Sequence, residues 1–206
     1  MQDVKFNKFV VFVNSLVPLA MLAWDAVWRQ LGANPTEFAI RTTGFLTLIF
    51  LLITLFVTPL RKLTGRNDLI KYRRMLGLFA FFYGALHLSI YFIIDRNLSL
   101  TSAVGDIVQR PFIAFGMTAF FLMIPLAVTS TNGMIKRLGG KRWQQLHKLT
   151  YLCAIGGVIH YYLIVKSDVL MPLAFAAILA ALLGYRVYAA NQKAAQTPVV
   201  PKQSKF

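Results

Sequence analysis

The chain alternates between long apolar runs and short charged segments, and the runs set its architecture. Six are predicted to form helices, at about 9–24, 43–60, 75–94, 111–130, 147–165 and 169–188. Each holds 16 to 20 residues, close to the ~20 that a helix needs to cross ~30 Å of hydrocarbon. A buried helix of a soluble domain would carry a polar face, and these do not. The expected fold is therefore all-α, a six-span transmembrane bundle occupying residues 1–188. Residues 189–206 are polar, contain Pro198 and Pro201, and are expected to form a disordered tail.

The segments between the runs complete this picture. Residues 25–42 carry Asp25, Arg29, Glu37 and Arg41 with Gly32 and Pro35 as breakers, and are expected to be a loop. The segments 61–74, 95–110 and 131–146 read as loops as well, and Lys166-Ser167-Asp168 as a tight turn. Pro111 suits the first turn of the fourth helix. The basic start and first apolar run resemble a signal peptide, but Leu19-Ala20-Met21-Leu22-Ala23-Trp24 offers no small-x-small cleavage site. That run is expected to remain as the first span.

Composition sharpens the membrane reading. The 206 residues are 57% hydrophobic and 14% charged, and the mean hydropathy is +0.61. A net charge of +15 can point to nucleic acid, but the basic residues sit in short segments between apolar runs and no basic domain stands apart. In alternate segments, 17 of the 22 lysines and arginines fall on one side and five on the other. By the positive-inside rule both termini are expected in the cytoplasm.

Chemistry narrows to histidine. The single cysteine, Cys153, excludes an internal disulfide, a CxxCH attachment and a cysteine-ligated iron–sulfur cluster. Away from their ends the runs contain no Asp, Glu, Lys or Arg, which speaks against a proton-coupled transporter. His87 lies twelve residues into the third run and His160 thirteen into the fifth, and both runs start on the same side. Two imidazoles at one depth on two helices can ligate a haem iron from both faces. Gly84 precedes His87 by three residues, and Gly156 and Gly157 precede His160 by four and three, on the faces where a flat ring would approach. The alternative for each histidine is an interhelical hydrogen bond, and for the glycines ordinary helix contact.

His147 stands thirteen residues before His160, a helical rise of roughly 20 Å. It either rests among lipid headgroups beside Trp143 or ligates a second, inner haem. The facing stretch Tyr72-Arg73-Arg74-Met75 has no histidine to complete such a site, and Met75 is the one candidate there, with helix packing as its alternative. Arg73, Arg74, Arg142 and Trp143 make a basic, aromatic inner rim suited to haem propionates or an anionic donor, and positive-inside anchoring accounts for the same residues. Arg41, Arg96 and Arg110 on the outer side could steer a partner or pair with propionates.

The block Leu138-Gly139-Gly140-Lys141-Arg142-Trp143-Gln144-Gln145-Leu146-His147-Lys148-Leu149-Thr150-Tyr151-Leu152, continued by Ile159-His160-Tyr161, resembles the MsrQ (formerly YedZ) family. Thr58-Pro59-Leu60, Arg73-Arg74-Met75-Leu76-Gly77-Leu78, Leu86-His87-Leu88 and Thr129-Ser130-Thr131 are similar too. MsrQ proteins are haem-binding membrane subunits of periplasmic methionine sulfoxide reductase systems, within the ferric reductase-like transmembrane group. The resemblance implies a multi-pass protein of the bacterial inner membrane that holds haem b, with FMN also described in the family. Its electrons would come from the quinone pool or a cytoplasmic flavin reductase and go to MsrP, a molybdopterin-containing periplasmic reductase. The wider group ligates two haems with four histidines, whereas the third run here offers only His87. No stretch outside the runs is long enough for a βαβ unit, and no G-x-G-x-x-G occurs. The chain is thus expected to be an electron wire, with methionine sulfoxide chemistry done by its partner. A stand-alone ferric reductase-type cytochrome and a small-molecule transporter are the alternatives.

Overall fold

The computed structural model describes residues 4–165 and 167–195, which are mostly helical, without a strand among them. Among the described residues, nine α-helices follow in order: α1 Val4–Val27, α2 Pro35–Thr64, α3 Ile70–Ile90, α4 Leu100–Gln109, α5 Pro111–Val128, α6 Asn132–Leu138, α7 Gly140–Leu146, α8 Leu149–Ile164 and α9 Leu170–Ala195. A 3₁₀ turn, Asn67–Leu69, leads into α3, and a π-helical turn, Tyr91–Asp95, ends it.

Five helical segments are long and apolar enough to cross a membrane: Val4–Val27, Pro35–Thr64, Asn67–Asp95, Pro111–Val128 and Leu170–Gln192. Six spans are expected from the sequence, and five segments of this length and character occur among the described residues. The sixth, α8, has 16 residues and reaches only about 24 Å at 1.5 Å per residue. Its helix starts at Leu149, because the chain turns at His147 and Lys148 between α7 and α8.

Other boundaries moved for local reasons. The expected loop 25–42 already contains the start of α2. Pro35 takes the first helical position, where a missing N–H costs nothing. Asn34 caps the helix by accepting from the Glu37 N–H at 3.1 Å. Gly65, at φ +68°, ends it in the left-handed conformation. The segment 95–110 folds into α4, capped by Ser99, and 131–146 holds α6 and α7. The tail expected from 189 onward is helical to Ala195; Pro198 and Pro201 lie outside the described residues, as does Lys166 of the expected turn.

Helix α2 is the centre of the bundle. One side joins α3, α5 and α8 in a cluster containing Phe50, Leu51, Phe79, Tyr83, Met123 and Cys153. The other side meets α8 and α9 through Leu48, Leu52, Leu55, Ala154, Val158, Phe175 and Leu179. Phe50 stacks between Phe79 and Tyr83, with ring centroids 5.6 and 5.4 Å apart. The Tyr83 hydroxyl donates to the Ser15 carbonyl at 2.7 Å, beside Pro18 of α1. The outer surface keeps large apolar side chains exposed, among them Phe9, Trp24, Phe56 and Leu173. A soluble domain would bury them, whereas lipid welcomes them.

Candidate functional site

Two helix pairs carry the site, and each builds the same local arrangement. In the first, His87 of α3 turns toward α2, and its Nδ1 lies 2.9 Å from the Ile40 carbonyl oxygen. In the second, His160 of α8 turns toward α5, with Nδ1 2.5 Å from the Phe112 carbonyl oxygen. A carbonyl can only accept, so in each neutral imidazole the proton sits on Nδ1. The Nε2 lone pair is then free to ligate. The two rings face each other with centroids 6.1 Å apart and planes at 85°.

A glycine one turn beyond each carbonyl makes room for the ring. A Cβ on Gly44 would meet His87 Cε1 and Nδ1 at 3.0 Å, and one on Gly116 would meet the same atoms of His160 at 2.8 Å. Sequence reasoning missed both glycines. Their only sequence signal is that each interrupts an apolar run, and choosing them required knowing which helix face meets which histidine.

The glycines expected to admit a flat ring border neighbouring helices. A Cβ on Gly84 would lie 3.4 Å from Phe120 and Thr47, and one on Gly156 would lie 3.2 Å from Ala119 Cβ. On Gly157 it would meet Leu48 at 3.4 Å. They let the helices close one turn before each histidine, which brings His160 within reach of α5 and His87 within reach of α2.

His147 is placed apart from this pair. Its ring stacks on Trp143 at 3.8 Å, and Nε2 lies 3.2 Å from the Thr129 hydroxyl. That hydroxyl already donates to the Pro125 carbonyl at 2.6 Å, so it accepts from His147 Nε2–H. His147 thus carries its proton on the opposite nitrogen from His87 and His160. The Trp143 indole N–H donates to the Thr129 carbonyl at 2.9 Å, closing the corner.

The expected inner rim divides. Arg74 donates to the Asn132 side chain at 2.6 Å, and Arg142 is exposed. Arg73 is half-buried. On the outer side, Arg41 pairs with Glu37 at 2.6 Å. Arg96 and Arg110 converge on the buried Asp106 of α4, at 2.8 and 3.5 Å, and Tyr91 donates to the same carboxylate at 2.8 Å. This network ties α4 to the π turn that follows His87.

The donor set fits a bis-imidazole haem. A metal–imidazole bond is about 2 Å, so two rings that ligate one iron from opposite sides have centroids ~6 Å apart, and those of His87 and His160 are 6.1 Å apart. No cluster of three or more His, Cys, Asp or Glu able to hold a different metal occurs among the described residues.

The arrangement has relatives. Residues 43–158 match the family model described as "Ferric reductase like transmembrane component". A relative from Herminiimonas arsenicoxydans, named "Protein-methionine-sulfoxide reductase heme-binding subunit MsrQ", is 50% identical over 188 residues, covering 90% of this chain and 86% of its own. Relatives of the same name from Ralstonia nicotianae and Rhodospirillum rubrum are 50% and 48% identical. Their alignments cover 88% and 92% of this chain, and 84% and 91% of theirs. With likeness of that degree running along nearly its whole length, the chain belongs to the MsrQ family of ferric reductase-like transmembrane proteins.

Proposed function

We propose that this membrane protein binds one b-type haem between His87 and His160 and carries electrons across the bacterial inner membrane. Its acceptor is a periplasmic molybdoenzyme of the MsrP kind that reduces methionine sulfoxide in proteins. Its donor is a membrane quinol or a cytoplasmic flavin reductase, and both chain termini lie in the cytoplasm. The observation that carries the reading is the facing pair of imidazoles, each fixed by a carbonyl at Nδ1 so that Nε2 is left for iron. The relatives' printed name, a heme-binding subunit of a methionine sulfoxide reductase, supports it.

The chain's own contribution is orientation. The Ile40 and Phe112 carbonyls fix tautomer and ring plane, and hydrogen bonding there raises the basicity of the opposite nitrogen. Gly44 and Gly116 bring the rings close to the backbone. When bound, haem supplies a one-electron couple and no chemistry on the sulfoxide. His147, with Nε2–H engaged by Thr129, stays outside the ligand pair, so the stoichiometry is one haem per chain.

The test is a dithionite-reduced minus air-oxidised spectrum of the purified protein with haemochrome quantification. One low-spin b-type haem per chain is expected, lost in both His87→Ala and His160→Ala and kept in His147→Ala. A colourless wild-type protein produced with ample haem would return the histidines to helix packing.

A further inference from the structure

Helix α1 carries a polar side chain on its lipid-facing side. It meets the bundle along the face of Ser15 and Leu22, which are buried. Phe12 packs on Phe79 of α3 with ring centroids 5.4 Å apart, and the Tyr83 hydroxyl donates to the Ser15 carbonyl at 2.7 Å. These contacts fix the rotation of α1. Asn14 is the eleventh of its 24 residues, near mid-span, and it is exposed. Its Nδ2 donates to the Val10 carbonyl at 2.8 Å. Its second N–H and its Oδ1 have no partner among the described residues. Pro18 stands four residues on and has no N–H, so the main-chain carbonyl of Asn14 loses its helical partner as well.

Hydrocarbon offers no water to these groups, and in membranes neighbouring helices supply the missing bonds. Lipid accounts for the exposed apolar side chains of α1, but not for Asn14. The residues around it form a seam. Val10, Asn14, Val17, Met21 and Trp24 are spaced by four, three, four and three residues, and all are exposed. That is the 3.5-residue repeat of a helix packed along another, and one asparagine in such a seam sets register and partner number. The seam lies on the side of α1 away from Ser15 and Leu22, so covering it leaves the bundle undisturbed.

We propose that α1 pairs with the α1 of a second copy of this chain, through hydrogen bonds between the two Asn14 carboxamides. A carboxamide is both donor and acceptor, so it complements itself across a twofold axis. Identical chains insert into a membrane with one orientation. Two copies therefore meet with their α1 helices parallel and both Asn14 side chains at the same depth. The free N–H of each then faces the Oδ1 of the other, and the carbonyl freed by Pro18 is a further acceptor beside it. The pairing uses no residue of the histidine site, and its test does not depend on haem.

The test uses full-length protein carrying a donor or an acceptor fluorophore at its N-terminus, mixed in phosphatidylcholine–phosphatidylglycerol vesicles. Energy transfer is followed as the protein is diluted with lipid. The wild type should follow a monomer–dimer curve. Asn14→Val should weaken the dimer roughly fivefold to thirtyfold, the range of one interhelical polar pair in a membrane, and Asn14→Gln should retain most of the association. In a second measurement, Met21→Cys, on the seam, should cross-link between copies on mild oxidation. Phe9→Cys, about 120° away around the helix, should not, and Cys153 is buried and does not compete. A wild type that is monomeric at every dilution would overturn the proposal and leave the seam to lipid or to another protein's helix. An Asn14→Val variant that associates as the wild type does, or equal cross-linking at both cysteine positions, would overturn it too.

Discussion

Substituting Gly116 by alanine tests the site where it is tightest. The added Cβ would lie 2.8 Å from His160 Cε1 and Nδ1 and 3.2 Å from Cγ. Non-bonded carbon atoms settle at about 3.5–4.0 Å, so the ring must retreat by roughly 0.7 Å. It cannot do so while keeping a 2.5 Å bond to the Phe112 carbonyl. Overpacking costs about 1–3 kcal/mol and the lost hydrogen bond about 0.5–1.5 kcal/mol, so a destabilisation of about 2–4 kcal/mol is expected. Gly44→Ala, with its contact at 3.0 Å, should cost less, and Gly105→Ala, with nothing within 4 Å, should be neutral or slightly stabilising as an alanine in a helix. The assay is denaturant unfolding of the purified variants together with their haem content. Gly116→Ala should fall furthest on both. If it behaves like Gly105→Ala, the glycine is not what holds the ring in place.

Asp106→Asn leaves Arg96 and Arg110 around a neutral amide and should cost about 1.5–3 kcal/mol, the range for hydrogen bonds to a charged group; thermal unfolding and proteolysis of the segment 95–110 would read it. Thr129→Val removes the acceptor for His147 Nε2–H and should change Trp143 fluorescence while leaving haem content unchanged; loss of haem would place His147 in the ligand set. Nitrogen NMR of labelled histidines should find His87 and His160 protonated at Nδ1 and His147 at Nε2, and a shared tautomer for all three would contradict the hydrogen bonding described here.

Much of the fold was legible because lipid demands long apolar runs, and these announce themselves. The depth match of His87 and His160 was legible for the same reason, since both run starts are marked by basic clusters. What escaped depended on tertiary register. Ile40, Gly44, Phe112 and Gly116 matter only because α2 and α5 present one particular face to α3 and α8. Helix α4 was read as a loop because its charged residues, Asp106 and the flanking Arg96 and Arg110, look solvated in sequence, whereas folding pairs them with one another and buries Asp106. The turn at His147 and Lys148 carries no proline or glycine of its own, so nothing local announces that α8 starts at Leu149. Arg186 sits at the edge of its apolar run, and its bond to the carbonyl freed by Pro59 joins residues 131 positions apart.

The carbonyls that hold His87 and His160 belong to the main chain of helices that contribute no histidine. A side-chain acceptor could be lost by a single substitution, but every amino acid supplies a carbonyl, so no exchange at Ile40 or Phe112 removes this one. Sequence drift along α2 and α5 can therefore leave both imidazole tautomers unchanged, provided the two glycines stay small. The site is buffered against mutation at its acceptors and exposed to it at Gly44 and Gly116.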